Sequence, residues 1–275
     1  MDNLREPGCP RAGGAEAPRE RRMELFDSFY ISEAGADADE NEDFVVSDQQ
    51  VGIFAVADGL GGRPAGGKAS RAGAQAFLQG VQRLEPSLRL DDACLRRVVE
   101  ESNAVVRSLA GADPLAAVPG TTLCAAVLNG QRGKIVHAGD SRAYLFADGR
   151  LRQLTTDHTL VEELILHNHL TRETAKDYPL RHVLSKCLGT DRAVEPDVQE
   201  ITLSAGAWLL LATDGLAAAL TNDQLEGILG RQVWRNAEEL CRCVVDQALS
   251  AVPGDNTSVL VVRAICKDDS EVPTR

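Results

Sequence analysis

Five aspartates in this chain stand where apolar runs give way to turns. They occur in Asn41-Glu42-Asp43, Ala57-Asp58-Gly59-Leu60-Gly61-Gly62, Gly139-Asp140-Ser141-Arg142, Ala212-Thr213-Asp214-Gly215 and Gly254-Asp255-Asn256-Thr257. A carboxylate beside a buried strand is costly when unpaired, so it is exposed at the strand tip, caps a turn or binds a cation. Taken one at a time these residues are ordinary strand-end punctuation, because Asp and Gly are common turn formers. Taken together they could converge on one sheet edge, where their mutual repulsion would demand a cation. Oxygen donors with no supporting histidine or cysteine cluster suit hard ions, magnesium or manganese, better than zinc. Gly59 has no side chain to keep an ion from its carbonyl, and Gly61 and Gly62 permit a sharp turn into the segment that follows.

The elements that must position these residues are visible as two kinds of pattern. Short apolar runs with strand character cover 51–57, 122–128, 134–138, 142–146, 208–212 and 258–262. Asn129-Gly130 and Asp148-Gly149 are hairpin signals and favour antiparallel pairing. Helical stretches are expected at 67–84, 91–109, 160–166, 171–177, 222–230 and 236–250. In the first of these Ala69, Ala76, Phe77, Val81 and Leu84 share a face with the small residue Gly73. Helices and hairpins are grouped and do not strictly alternate, which predicts antiparallel sheet covered by helices, an α+β fold. Residues 1–23 are rich in Pro, Gly, Ala and charge without apolar periodicity and read as a disordered leader.

Composition narrows the function classes. The 41 acidic against 29 basic residues give a formal net charge of -12, which disfavours nucleic acid or an anionic membrane as partner. Seven cysteines, an odd number with no CxxC pair, argue for reduced thiols in a cytoplasm. No apolar run approaches the ~18 residues of a membrane span, and no basic-then-apolar signal peptide opens the chain.

Eight motifs follow one another in order: NEDF (41–44), VADGLGG (56–62), GTTL (120–123), HAGDSRAYL (137–145), LTTDHTLVEEL (154–164), PLRHVLSKCLG (179–189), LLATDGL (210–216) and GDNTSVLVV (254–262). Their order and spacing resemble the metal-dependent protein phosphatase family, 2C type, in its compact bacterial form, over about 25–264. The resemblance implies a four-layer sandwich, two antiparallel sheets flanked by helices, in a catalytic domain at 24–266 followed by a flexible tail at 267–275. It implies hydrolysis of phosphoserine and phosphothreonine on proteins by a cytoplasmic monomer whose partners are phosphorylated proteins and a cognate serine/threonine kinase. Two core manganese or magnesium ions, and a third looser one, are implied. Asp58 would bridge two ions, the Gly59 carbonyl would bind the second, Asp214 and Asp255 would complete the first, Glu42 and Asp43 would hold metal-bound waters, and Asp140 would serve the third. The implied nucleophile is a metal-bridged hydroxide that attacks phosphorus in line, without a phosphoenzyme. Turnover would then depend on Asp43, Asp58 and Asp214.

The chain departs from the family pattern at two places. Ala38 stands where an arginine usually grips the substrate phosphate, and alanine cannot make bidentate phosphate contacts. Arg63 or the leader's Arg19, Arg21 and Arg22 could compensate, although Arg63 reads more simply as a solvated loop side chain. Leu60 stands where some relatives carry a histidine acid. In addition, six of the eleven residues from 33 to 43 are acidic and none is basic, which would repel an anionic substrate unless metal offsets it. Residues 158–189 match a flap that touches substrates, His158 reads as structural, and His167 and His169 read as a polar turn. Other chemistries fit poorly: Cys187 has Arg192 five positions on instead of six, Asp37-Ala38-Asp39 lies in a polar stretch, and Ser141 has no histidine after His182 to serve it. The alternative from another class is a pseudophosphatase that binds phosphoproteins or a kinase without turnover. Ala38 favours it, whereas the retention of five mutually repelling carboxylates opposes it.

Overall fold

A computed structural model describes residues 26–36, 38, 40–60, 66–110, 118–231, 233–252 and 254–265. The leader at 1–23 and the tail at 267–275 lie outside the described residues, as do Asp37, Asp39, Gly61, Gly62 and Arg63. With strands and helices numbered in chain order, β1 (Phe26–Glu33), β10 (Thr257–Ala264), β9 (Trp208–Ala212), β6 (Arg142–Ala147) and β7 (Arg150–Gln153) form one antiparallel sheet in that order. The second is β2 (Asp43–Asp48), β3 (Ile53–Asp58), β4 (Leu123–Asn129), β5 (Arg132–Ala138) and β8 (Asp197–Thr202), also antiparallel throughout.

Burial sorts the side chains into three slabs, and these make the four layers. Along β3 every second residue faces the other sheet: Phe54 and Val56 meet Leu209, Leu211, Leu260 and Val262 between the sheets. The intervening Ile53, Ala55 and Ala57 face outward against Phe77, Val81 and Leu95 of α1 (Gly66–Arg83) and α2 (Asp92–Arg107). On the other outer side, Leu210, Val259 and Val261 pack on α5 (Asp214–Ala219), α6 (Asn222–Leu229) and α7 (Ala237–Ala251). The remaining helices, α3 (Leu160–Leu166) and α4 (Arg172–Ala175), belong to the excursion between β7 and β8.

Local chemistry explains where the elements begin. Asp91 accepts from the Cys94 N–H, Thr171 from Thr174 and Asn236 from Glu239, so the helices start one residue after the positions expected from sequence. Asp148 and Gly149 both have positive φ, 53° and 74°, as a two-residue hairpin turn between β6 and β7 requires. The other hairpin is centred on Gly130 and Gln131, because Asn129 pairs with Arg132 and so belongs to the strand. In α1 the buried face is Ala69, Gly73, Ala74, Phe77, Gly80 and Val81, with Ala76 at its margin.

The fully buried Leu209 lies in the slab between the sheets. Leu209→Ala should cost about 2–5 kcal/mol of unfolding free energy, read as a lowered urea midpoint at unchanged slope.

Candidate metal centre

The β2–β3 register sets Asp43 directly opposite Asp58. Both fall on the face that carries Val45 and Val56, so both project into the seam between the sheets. Asp214 opens α5 immediately after β9, and Asp255 stands two residues before β10, so the first sheet delivers two carboxylates to the same end of the seam. Asp140 lies in the connection from β5 to β6, where the chain crosses from one sheet to the other. Glu42, Asp58, Gly59, Asp140, Asp214 and Asp255 line one cavity of about 610 Å³. Asp43 is buried nearby, close enough for the charges of Asp214 and Asp255 to act on it. The five aspartates named from sequence therefore meet in one place.

Hydroxyls and close backbone packing hold this arrangement. Thr122 Oγ1 accepts from the Asp58 N–H at 2.9 Å, while the Thr122 N–H (2.9 Å) and Thr121 Oγ1 (2.8 Å) both donate to the Asp58 carbonyl. Thr122 Oγ1 also meets Ser141 Oγ at 2.7 Å, so Ser141 is a buried strut, not a presented nucleophile. Thr213 Oγ1 donates to Asp43 Oδ2 at 2.8 Å and accepts from the Ser258 N–H at 3.0 Å, which joins the two sheets at the site. A β-carbon on Gly59 would lie 2.4 Å from the Gly66 backbone and 2.8 Å from the Glu42 carbonyl, so close packing demands glycine here whatever its carbonyl binds. Ser70 Oγ, on α1, donates to that same Glu42 carbonyl. The sequence reading assigned no role to Thr121, Thr122, Thr213 or Ser70. The paired threonines of GTTL were the available signal.

The electrostatics oppose ionisation. Burial first, then the charges of Asp214 and Asp255, push the Asp43 carboxyl up to about 7 against hydrogen bonds from Ser258 and Thr213. Burial, then Asp214 and Asp157, push Asp140 up to about 7. Asp58 is held well above the usual carboxylate range by burial, by the charges of Asp43 and Asp214 and by a side-chain hydrogen bond with Asp214. Asp43 Oδ1 is buried without a hydrogen-bond partner among the described residues. A fold that gathers these groups with oxygen donors alone fits a hard divalent cation, which would supply the missing positive charge.

One expectation needs correction. The histidines were read as lacking any metal-ligand arrangement, yet His137, His158 and Asp197 bring one donor atom each within 4.8 Å of one another. The β5–β8 register pairs His137 with Asp197, a proximity that separation along the chain conceals. The hydrogen bonds nevertheless oppose ligation. The Gly139 N–H donates to His158 Nδ1 at 3.1 Å, while Nε2 lies 3.2 Å from Asp197 Oδ2 and 3.3 Å from the Lys186 ammonium. Metal-bound histidine needs an acceptor at its second nitrogen, and here a donor occupies it. His158 is thus structural, stacked on His137 at 4.6 Å. His167 and His169 are exposed beyond α3, and Cys187 is buried. Ala38 is partly exposed in a loop whose Gly35 N–H donates to Asn256 Oδ1 at 3.1 Å.

Comparisons with known proteins agree with this architecture. The family model described as protein phosphatase 2C matches residues 35–252. A serine/threonine phosphatase stp of Listeria welshimeri is 32% identical over 212 residues, covering 76% of this chain and 83% of its own. The serine/threonine protein phosphatase PstP of Mycobacterium tuberculosis is 33% identical over 231 residues, 83% of this chain and 43% of its own. The crystal structure of the M. tuberculosis phosphatase PstP/Ppp superposes with a TM-score of 0.78 at 31% identity, covering 88% of this chain and 99% of that one. The catalytic domain of PstP in complex with two manganese ions gives 0.74 at 29%, with 88% and 99% covered.

Carboxyls held above their ordinary pKa bind protons more tightly folded than unfolded, so the metal-free fold loses stability as pH rises from about 4 through 7. In chelator, the melting temperature should fall between pH 5 and pH 8, and excess manganese should remove most of that fall. Asp43→Asn should stabilise the chelated protein at pH 8 by roughly 1–3 kcal/mol, measured by urea unfolding. A pH-independent melting temperature in chelator would contradict this account of the site.

Proposed function

The chain belongs to the protein phosphatase 2C family, and we propose that it removes phosphate from serine and threonine of proteins using manganese or magnesium held by the seam carboxylates. The observation that carries this reading is the assembly of Asp58, Asp140, Asp214 and Asp255 from both sheets in one cavity, with Asp43 buried beside it. Asp58, the Gly59 carbonyl, Asp214 and Asp255 would hold the core cations in this assignment. Glu42 and Asp43 act through bound water, and Asp140 serves a third ion. When bound, the cations lower the pKa of the attacking water and neutralise the phosphoryl oxygens.

The protein's own part is positioning. Thr121 and Thr122 clamp the backbone of Asp58, and Thr213 fixes the Asp43 carboxylate, so the ligands are placed before substrate arrives. The flap, 158–189, is stitched to the site at its base, where the His158 N–H donates to the Gly139 carbonyl at 2.8 Å and the Leu188 N–H to the Thr121 carbonyl at 2.8 Å. A binding module without turnover would have no use for four aspartates whose ionisation the fold resists. We read the protein as a cytoplasmic monomer opposing a cognate serine/threonine kinase. The free thiols of Cys124 and Cys241, both buried, support a reducing compartment, and no described helix is long and apolar enough to cross a membrane.

With manganese the protein should hydrolyse both an aryl phosphate and a phosphothreonine peptide, and chelator should silence it. Asp58→Asn and Asp214→Asn should each lower kcat at least about a thousandfold with an unchanged circular dichroism spectrum. Manganese-supplemented protein that hydrolyses neither ester would defeat the reading.

A further inference from the structure

We propose that His182, on the returning limb of the flap, is the side chain that grips the substrate's phosphoryl group in this protein and sets its affinity for phosphopeptides. The inference rests on the phosphatase reading and adds to it a residue outside the carboxylate set. Among the described residues lining the 610 Å³ cavity, His182 is the one side chain able to carry positive charge, against Glu42, Asp58, Asp140, Asp214 and Asp255. It also lines a second cleft of about 380 Å³, between the flap helices and α5, so it stands where the two spaces join. Asp140 and Asp214 line both spaces with it, which sets the residue at the carboxylate end of the cavity. Among the hydrogen bonds and ion pairs of the described residues none engages the His182 ring, and the residue is exposed.

The flap backbone holds this residue in place. The Arg181 N–H donates to the Tyr178 carbonyl, the Val183 N–H to the Leu180 carbonyl, and the Leu160 N–H to the Val183 carbonyl at 2.8 Å. Thr159 and Leu184 form an isolated bridge, and the Ser185 N–H donates to the His158 carbonyl at 2.8 Å. His182 is therefore presented from a backbone tied on both sides, with its donor committed to nothing else. Either neutral tautomer of imidazole offers one N–H to a phosphoryl oxygen. Neither Ala38 nor Leu60 has a side-chain donor. A hydrogen bond to a charged group, without a protein partner to give up, is worth about tenfold in affinity or more.

The test compares His182→Ala and His182→Gln with the unaltered full chain in excess manganese. For His182→Ala, KM for a phosphothreonine peptide and Ki for inorganic phosphate should both rise about 5–20-fold, with the manganese midpoint unmoved. His182→Gln, which keeps an N–H donor, should recover most of the phosphate affinity. Ala38→Arg should lower KM more in the His182→Ala background than in the native one, because the two side chains would share one task. If the native protein hydrolyses the peptide while His182→Ala keeps KM and Ki within twofold, the inference falls and the phosphatase reading stands. Loss of kcat together with a shifted manganese midpoint would also overturn it, by showing that His182 supports the carboxylates. A native protein without hydrolysis would instead remove the reading beneath it.

Discussion

Two aspartates, Asp43 and Asp58, face each other across adjacent strands with their carboxyls on the buried side of the sheet. Like charges directly opposite destabilise a strand pair, and burial aggravates the conflict because Asp43 Oδ1 has no hydrogen-bond partner among the described residues. The pair survives because β2 and β3 are fixed by something stronger. A one-residue slip would turn Val45 and Val56 out of the inter-sheet core and Phe44 and Ala57 into it. The hydrophobic register therefore holds two carboxylates where they cannot both ionise unaided, and a cation is what makes that position useful. Asp214 and Asp255 extend the same logic from the opposite sheet, and Asp140 from the crossing between the two.

The centre of each sheet and the chemistry at its tips were readable because the same residues carry both signals. β3, β4, β5, β6, β9 and β10 are apolar runs, and four of the five aspartate-bearing turns adjoin one of them. Four strands escaped notice for a common reason. β7 (RLRQ) and β8 (DVQEIT) are polar edge strands, β1 alternates Asp and Ser with its aromatic residues, and β2 is short and flanked by acid. Edges need only half a hydrophobic pattern, so their sequences resemble loops. Helix α5 was hidden inside the DG motif that it begins, where a turn was the simpler reading. Contacts that depend on register across distant segments, such as His137 with Asp197 or Thr122 with Asp58, leave no trace in a linear pattern. The ligand residues were assigned by resemblance, and the geometry supplies the physical reason for their company.

Rigidity and tolerance are divided between two parts of the molecule. The carboxylates stand at the ends of strands whose slabs are almost wholly buried, with the Asp58 backbone clamped by Thr121 and Thr122 and the Asp43 carboxylate by Thr213. The flap is built otherwise. Neither of its helices exceeds seven residues, α3 buries no residue, and Leu166, Leu180 and Val183 are exposed. Segments with few buried apolar contacts open at low free energy. Such a surface can adapt to different peptides while the ions are held by parts that do not move, and only its base shares hydrogen bonds with the site.

That division also bears on how an anionic substrate can approach a protein carrying a net charge of -12. The cavity wall is acidic at Glu42, and two cations of the flap cleft are already committed: Arg142 to Asp157 at 2.6 Å and Arg172 to Glu162 at 2.8 Å. Arg181 and His182 make no ion pair among the described residues, and both line the cleft that opens toward Asp140 and Asp214. Potential near the surface is set by uncompensated charge within roughly a Debye length of about 8 Å at physiological salt. A phosphorylated side chain therefore meets its least repulsive path along the flap and reaches the carboxylate-held ions from that side.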